Sequence, residues 1–430
     1  MNIDKNIYKL AELFKENGYT LYIVGGFVRD SLLGKENTDI DITSNMPYEK
    51  VLEICKKNKF KSTPVNKTLG TLHIAINDTI LEYTQFRHES YNTKGSHSPS
   101  SVEFVDDIKT DMLRRDITIN SMYLDILNGN IIDMCSGQKD LENKIIRTTN
   151  TPEITLQDDA LRILRIIRFA SSLNFKLDRK TFKYMKIFTP HLKEISKERI
   201  LNELKAIVSS DLKYESPNEI FLTLFNKLKI FPHIFNYSLS RIRKITKQDI
   251  RKYYSLPKEA RLIGLYILIL KNYLAGYTKA NQLFFDINCI LGREGIKESN
   301  ANITLTNKLY LIYQNLEYQV DVINATVNYL TLSNTEREIV LVYLNKDCKQ
   351  ALFDNIKTIK DNNLPISVHE LPITASDLID NGIDRKYISK LLQILFNQVL
   401  QMQVKNDKDD LINLALELHK SFSQINNKEK

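Results

Sequence analysis

The first forty residues pass from a helical pattern to a strand, a tight turn, a short helix and a second strand. Residues 21–24 are apolar, residues 27–33 have the spacing of a short helix, and residues 38–42 alternate between polar and apolar side chains. Two adjacent glycines, Gly25 and Gly26, separate the first strand from the helix. Glycine lets a backbone approach a phosphate chain closely, here with a helix N-terminus behind it.

Two aspartates share one face of the second predicted strand. Because successive side chains alternate, Asp39 and Asp41 point one way and the two isoleucines beside them point the other. Neighbouring carboxylates repel each other unless a cation lies between them, and hard oxygen ligands suit Mg²⁺ or Mn²⁺. A solvated Asp-x-Asp beside a turn is the simpler interpretation of the pair alone. With the glycines upstream, the pattern favours a metal-dependent phosphoryl or nucleotidyl transfer site.

The remainder of the first 150 residues mixes helix and strand patterns. Residues 47–58 predict a helix, and residues 72–76 and 80–86 predict two strands. Glu82 lies in the second of these strands, where a lone glutamate is usually solvated. Residues 87–101 are polar and lack periodicity, which predicts a loop.

From residue 155 onward the pattern predicts helices only. Residues 157–169 are strongly helical, and at about 100° per residue their apolar side chains face a core. The opposite side carries four charged residues, Asp158, Asp159, Arg162 and Arg165. Ion pairs three residues apart explain this arrangement without any function.

Composition and charge limit the class of protein. A chain of 430 residues predicts two to four domains, and 43% hydrophobic with 26% charged residues excludes wholesale disorder. The net charge of +8 permits a polyanionic partner. Four scattered cysteines form no CxxC pair, which argues against a zinc site or a disulfide framework. We find no signal-peptide pattern and no apolar stretch long enough to span a bilayer, so we expect a cytoplasmic protein without a membrane partner.

Several motifs resemble the family of class II tRNA nucleotidyltransferases (the CCA-adding enzymes) and bacterial poly(A) polymerases. GGFVRD at residues 25–30, followed by Asp-Ile-Asp at 39–41, resembles the nucleotidyltransferase signature. RRDITINS at 114–121 is similar to the family's RRDFTINA motif, with isoleucine and serine as the two departures. DDALR at 158–162 is similar to EDxxR, with Asp158 replacing glutamate, and residues 196–204 resemble the neck-helix motif.

The resemblance implies an α+β architecture. An N-terminal nucleotidyltransferase head, with a mixed β-sheet and helices, would be followed by all-α neck, body and tail domains. The corresponding boundaries are 1–148 for the head, 149–210 for the neck, 211–335 for the body and 336–430 for the tail.

The resemblance also implies a reaction and its residues. CMP and AMP would be transferred from CTP and ATP to the 3′ end of tRNA with release of pyrophosphate, two Mg²⁺ ions would be the cofactor, and no DNA would be bound. The implied catalytic residues are Asp39, Asp41 and Glu82, the two aspartates being the metal ligands. The implied nucleotide-binding residues are Gly25, Gly26, Arg29, Arg114, Arg115, Asp116, Asn120, Asp158, Asp159, Arg162, Arg165 and Arg168.

Narrower activities stay open: a CC-adding enzyme, an A-adding enzyme or a poly(A) polymerase. Residues 68–74 resemble the CCA-type segment and lack the Gly-basic-basic-Phe run of bacterial poly(A) polymerases. The basic stretch that CCA-adding enzymes carry before a loop proline is here Ser96-His97-Ser98, which bears on the addition of A. A catalytically idle tRNA-binding protein is the alternative of another class. The intact Asp39, Asp41 and Arg115-Asp116 argue against it.

Overall fold

The computed structural model describes residues 3–77, 79–91, 99–210, 219–235, 244–274 and 276–426. Residues 96–98 of the predicted loop lie outside these ranges. The chain forms two compact units: Met1–Leu239 with Arg293–Lys297, and Ser240–Gly292 with Glu298–Lys430. The division into head, neck, body and tail is finer than these two units, and its boundaries stay predictions.

The first unit contains every described strand. The strands are β1 (Tyr22–Val24), β2 (Ile40–Ser44), β3 (Lys61–Asn66), β4 (Thr71–Ile76), β5 (Thr79–Gln85), β6 (Arg87–Ser90), β7 (Ser101–Phe104), β8 (Tyr123–Asp125), β9 (Ile131–Ile132), β10 (Ile145–Ile146) and β11 (Lys176–Leu177). Seven of them form one sheet in the order β3-β4-β5-β2-β1-β8-β9. Strands β2 and β5 pair in parallel and the other neighbours are antiparallel, so the predicted mixed sheet is confirmed.

Helices cover the sheet and continue the first unit. They are α1 (Lys5–Glu16), α2 (Gly26–Leu32), α3 (Tyr48–Lys57), α4 (Ile108–Leu113), α5 (Gly137–Glu142), α6 (Pro152–Asp158), α7 (Arg162–Leu173), α8 (Arg179–Phe188), α9 (Lys197–Ser210), α10 (Ile220–Leu228) and α11 (Phe231–Ile234), with 3₁₀ turns at Thr118–Asn120 and Thr189–Glu194. Strand β1 is buried on both faces, since Ile23 and Val24 point to opposite sides of the sheet and both are almost fully buried. Burial of such side chains holds the turn that follows β1 in place.

The second unit is helical throughout its described residues, as expected. Its helices are α12 (Lys247–Tyr254), α13 (Arg261–Leu274), α14 (Ala280–Leu291), α15 (Asn300–Glu317), α16 (Val322–Leu330), α17 (Asn334–Tyr343), α18 (Lys346–Asp361), α19 (Ala375–Asp380), α20 (Arg385–Leu400) and α21 (Lys408–Asn426), with 3₁₀ turns at Lys258–Ala260 and Val368–Glu370. Within the described ranges, no helix is both long and apolar enough to cross a membrane. The four cysteines, all of them described, form no disulfide.

Two strand predictions were wrong. The stretch 87–101 was predicted as a loop, but residues 87–90 form β6 and residue 101 begins β7, and the two strands pair antiparallel with Arg87 opposite Phe104. Each strand has only four residues, so the alternation of polar and apolar side chains that they offer is brief. Strand β11 lies beyond residue 155, where only helices were predicted, and pairs in parallel with β10.

The helix predicted over 157–169 is two helices. Helix α6 ends at Asp158, and Asp159 has extended backbone angles, φ −145° and ψ 107°. Its carboxylate accepts a hydrogen bond from the backbone N–H of Leu161 at 3.0 Å. Aspartate competes in this way with helical hydrogen bonds, so it favours helix ends over helix interiors. The predicted apolar side of this segment is confirmed, since Ala160, Ile163, Leu164 and Ile167 are fully buried.

Candidate active site

One cavity in the first unit collects most of the predicted site residues. Its volume is about 710 Å³. Thirteen of the fifteen predicted residues line it: Gly25, Gly26, Arg29, Asp39, Asp41, Arg114, Arg115, Asp116, Asn120, Asp159, Arg162, Arg165 and Arg168. Glu82 and Asp158 are not among the lining residues. Segments far apart in the sequence therefore meet around one space.

The glycine turn lies against the carboxylate of Asp41. Gly25 has φ +83° and ψ −138°, a conformation open essentially to glycine alone. A Cβ atom added to Gly25 would lie 2.9 Å from Oδ2 of Asp41. Glycine is needed here both for its backbone angles and for the space.

Asp41 lies at the centre of a group of acids. It is on β2, opposite Val24 of β1 and opposite Glu82 of β5. Residues paired directly on neighbouring strands point to the same face, so Asp41 and Glu82 lie side by side. Asp39 precedes β2 instead of lying within it, and its backbone N–H donates to Oδ1 of Asn37 at 3.0 Å.

Burial, together with the negative charges of Asp39 and Glu82, raises the pKa of Asp41 to about 6, although Arg115 and Arg165 oppose this shift. Around Asp41 the carboxylates therefore repel one another, and the nearby arginines offset this local repulsion only in part. Two carboxylates supply hard oxygen donors, which fit Mg²⁺. In the described part of the chain, no three His, Cys, Asp or Glu side chains form a ready metal site. Mg²⁺ is commonly held by one or two carboxylates, with water and substrate phosphates completing its shell, so the donor set fits this ion.

Glu82 lies at the open side of the acid group. Its side chain is 50% exposed, and Nε2 of His73 on β4 lies 3.8 Å from its Oε2. His73 and Glu82 are directly paired across β4 and β5. The structure thus places Glu82 next to Asp41, in a position open to solvent.

Arg29 connects the glycine turn to the segment at residue 120. Its guanidinium is almost fully buried and donates from Nε to Oδ1 of Asp30 at 2.8 Å. A second N–H, on Nη1, donates to Oδ1 of Asn120 at 2.6 Å. Asp30, fully buried, also accepts from Nδ2 of Asn37 at 2.8 Å. Helix α2 is thereby tied to two other walls of the cavity.

A buried aspartate organises the two adjacent arginines. Asp111 accepts from Nε of Arg114 at 2.8 Å and from Nη2 of Arg115 at 3.2 Å. Burial by itself would raise the pKa of Asp111, but the two guanidinium groups hold that pKa well below its usual range. Arg114 also lies 3.3 Å from Oε1 of Glu89. Both guanidinium groups are therefore held by Asp111, and both arginines line the cavity.

Helices α7 and α9 supply a second set of ion pairs. Nε of Arg165 donates to Oδ2 of Asp116 at 2.7 Å, and Nε of Arg168 donates to Oε2 of Glu203 at 3.0 Å. Although burial opposes it, Arg165 lowers the pKa of Asp116, so this carboxylate is ionised. The two arginines are one helical turn apart on the same face of α7.

The EDxxR-like segment makes contacts other than those predicted. Asp159 accepts from Nη2 of Arg199 on α9 at 2.7 Å, while Arg162 donates to the backbone carbonyls of Thr155 at 3.0 Å and Arg114 at 2.7 Å. Asp158 lies 4.0 Å from Arg162. The prediction of one helical face bearing all four charges was wrong, because the helix is interrupted at Asp159. Tertiary contacts, not the helical period, bring Asp159, Arg162 and Arg165 to the cavity.

Sequence reasoning missed several lining residues: Asn37, Leu69, Arg87, Glu89, Tyr91, Pro99, Leu161, Phe169 and Arg199. Glu89 accepts from Arg87 at 2.7 Å and from the hydroxyl of Tyr91 at 2.7 Å. The alternation of Arg87, Glu89 and Tyr91 was a strand signal in the stretch predicted as a loop. Phe169 follows the helical spacing of Arg162 and Arg165, and this signal was available in the sequence.

Two family models and several CCA-adding enzymes match parts of the chain. Residues 21–147 match the family model described as the poly A polymerase head domain, and residues 174–235 match the model described as the probable RNA and SrmB-binding site of polymerase A. CCA-adding enzymes of Staphylococcus aureus strains MRSA252 and Newman are 36% identical over 238 residues. That alignment covers 54% of this chain, and the chain spans 58% of the length of these relatives.

Solved structures share the fold over nearly the whole chain. The Bacillus stearothermophilus CCA-adding enzyme in complex with CTP matches with a TM-score of 0.57 and 19% identity, covering 98% of this chain and 100% of that one. The Thermotoga maritima CCA-adding enzyme complexed with tRNA matches with a TM-score of 0.64 and 21% identity, covering 96% of each chain.

The fold and the family match together describe a head of the poly A polymerase type at residues 21–147, with a helical region after it. Over these residues the chain is similar to the tRNA nucleotidyltransferase and poly(A) polymerase family. Nucleotidyltransferases of this family are generally metal-dependent.

Proposed function

We propose that this protein adds CCA to the 3′ ends of tRNA without a nucleic-acid template, using CTP and ATP and releasing pyrophosphate. The observation that carries the proposal is the 36% identity to CCA-adding enzymes over 238 residues. The cavity supports it, because glycine turn, paired carboxylates and arginines surround a space of about 710 Å³. That volume is within the usual range for a small-molecule site.

We assign the metal-binding role to Asp39 and Asp41, with two Mg²⁺ ions. When bound, the ions would lower the pKa of the RNA 3′-hydroxyl and offset charge on the leaving pyrophosphate. Glu82, half exposed beside Asp41, would orient the incoming hydroxyl or accept its proton. An open position suits this role, since the RNA end must reach it from solvent.

Phosphate binding falls to the turn and the arginines. Gly25 and Gly26 leave room for a phosphate chain, and Arg29, Arg114 and Arg115 would bind its oxygens with N–H groups that their internal partners leave over. A guanidinium carries five N–H donors, so one or two internal hydrogen bonds do not exhaust it. Asp116 and Asn120 would bind ribose hydroxyls or phosphate, and each now accepts from an arginine.

Base choice is assigned to Asp159 and Arg162. Cytosine and adenine both present an amino donor beside a ring-nitrogen acceptor, so an aspartate can accept from one and an arginine can donate to the other. Uracil and guanine reverse both groups. A site of this kind can reject the wrong base by a factor on the order of 10⁴, because its buried polar groups would be left unpaired. Asp159 keeps capacity for such a bond, because each carboxylate oxygen has a second lone pair, and Arg162 donates only two of its five N–H groups to backbone carbonyls.

The test is nucleotide incorporation by the full chain. A tRNA ending at its discriminator base, and a second tRNA already ending in CC, are each incubated with Mg²⁺ and with CTP, ATP or both. The products are resolved on a sequencing gel, with Asp41→Ala as the inactive control. We expect two additions with CTP alone and three with both nucleotides. Two additions with both nucleotides would make this a CC-adding enzyme, and extension only of RNA ending in CC would make it an A-adding enzyme. A long A ladder would make it a poly(A) polymerase, and no product with intact tRNA binding would make it an idle tRNA-binding protein.

We further propose the cytoplasm as its location, because tRNA and both nucleotides are present there.

A further inference from the structure

Three of the guanidinium groups in the cavity surround one aromatic ring. The Cζ atoms of Arg29, Arg165 and Arg168 lie 5.5, 5.9 and 4.6 Å from the centroid of the Phe169 ring. Arg29 comes from α2, and the others flank Phe169 on α7. The ring itself lines the cavity and is half-buried. One side chain thus touches the cations that two separate elements contribute.

Each of these arginines is held at a second point by an acid. Nη2 of Arg29 lies 2.8 Å from Oδ1 of Asp30. The corresponding partners of Arg165 and Arg168 are Asp116, at 2.7 Å, and Glu203, at 3.0 Å. Three guanidinium groups around one ring repel one another. The acids offset part of that charge, and the ring adds the attraction of its negative face.

An aromatic ring and a further carboxylate would differ in how much positive charge they leave on the arginines. A carboxylate at this position would neutralise a cation and occupy its N–H donors. A ring attracts guanidinium groups through its quadrupole and carries no net charge, so the positive charge remains available to an anion in the cavity. The arrangement suits a polyphosphate, whose several oxygens need several fixed N–H donors.

We propose that Phe169 is a positioning residue that holds Arg29, Arg165 and Arg168 in place as a seat for the triphosphate of the incoming nucleotide. It acts through the arginines and has no contact with the reacting atoms. This inference rests on the proposed function, since it takes the cavity to bind a nucleoside triphosphate.

The experiment compares Phe169→Leu, which removes the ring, with Phe169→Tyr, which keeps it. Phe188→Leu is the matched control, because Phe188 is a buried residue of α8 that packs on Tyr184 with ring centroids 6.5 Å apart and does not line the cavity. Binding of CTP, CMP and inorganic triphosphate to the full chain is measured by calorimetry without tRNA, beside the thermal unfolding temperature.

We expect Phe169→Leu to lower the affinity for CTP and for inorganic triphosphate by about ten-fold, because several cation–π contacts are lost. The affinity for CMP should change by less than about two-fold, Phe169→Tyr should bind like wild type, and Phe188→Leu should leave all three affinities unchanged. Equal losses for CMP and CTP would overturn the proposal, because the ring would then serve the nucleoside. Unchanged triphosphate binding would overturn it too. If Phe169→Leu does not fold, Phe169→Met replaces it in the same comparison.

This binding assay and the incorporation assay fail separately. If wild type adds CCA but Phe169→Leu binds triphosphate as tightly as wild type does, only the role of Phe169 is refuted. If Phe169→Leu weakens triphosphate binding but wild type adds no nucleotide to tRNA, the proposed function is refuted.

Discussion

Replacing Gly25 by alanine should disable the site by displacing one carboxylate. The added Cβ would lie 2.9 Å from Oδ2 of Asp41, whereas ordinary contact begins at 3.4 Å, so the oxygen must retreat by about half an ångström. Displacing a reacting group by 1 Å can cost about 10²-fold in rate, so we expect a loss of roughly ten- to a hundred-fold in kcat. The unusual backbone angles add about 1–3 kcal/mol of strain.

Gly18→Ala is the matched control for this strain. Gly18 has the same φ, +83°, but a Cβ there meets nothing within 4 Å. Both variants should lose thermal stability, and only Gly25→Ala should lose activity. The measurement pairs single-turnover incorporation of CMP with thermal unfolding of each variant. Full activity in Gly25→Ala would refute the reasoning, since Asp41 would then tolerate displacement. Equal activity losses in the two variants would trace the effect to backbone strain instead.

Three further predictions concern acids in the cavity or beside it. The pKa of Asp41 is raised from 3.8 to about 6, so its stabilising contribution is complete below pH 3.8 and is lost as the pH rises through 6. Without metal, Asp41→Asn should therefore have a free energy of unfolding at pH 8 that is higher than that of wild type by up to about 2–3 kcal/mol, and a higher unfolding temperature, with the advantage shrinking towards pH 5. Added Mg²⁺ should stabilise wild type only. If Asp41→Asn were less stable than wild type at pH 8, burial of a charged Asp41 beside other acids would not be destabilising, and the reasoning would be wrong. Glu82→Gln should cut turnover by several hundred-fold while nucleotide binding persists, as for a general base; a loss below about five-fold in rapid-quench assays would leave Glu82 a solvated strand residue. Asp159→Ala should lose discrimination against UTP by about ten-fold or more, since one paired contact is worth roughly 1–3 kcal/mol. Asp158→Ala is its control, because Asp158 does not line the cavity. Competition between CTP and UTP measures the discrimination of both variants. An equal loss of discrimination in the two would contradict the role of Asp159.

The local elements of the head could be predicted from sequence because each depends on neighbouring residues. The alternation around Asp41 and the glycines before α2 are local signals, and the structure has strand, turn, helix and strand there in that order. The apolar side of α7 was equally clear, because burial follows the helical period. The motif residues were therefore recognisable as a set.

Tertiary structure alone decided which partners these residues have. Glu82 lies beside Asp41 because β2 and β5 pair in parallel, although the two residues are 41 positions apart. Asp159 pairs with Arg199 on another helix, and Arg29 meets Phe169 across α2 and α7. Pairing across a sheet and between helices depends on how the whole chain packs, and the spacing along one element carries no record of it. For the same reason the break at Asp159 escaped prediction: a local capping bond and a distant ion pair outweighed a strong helical pattern.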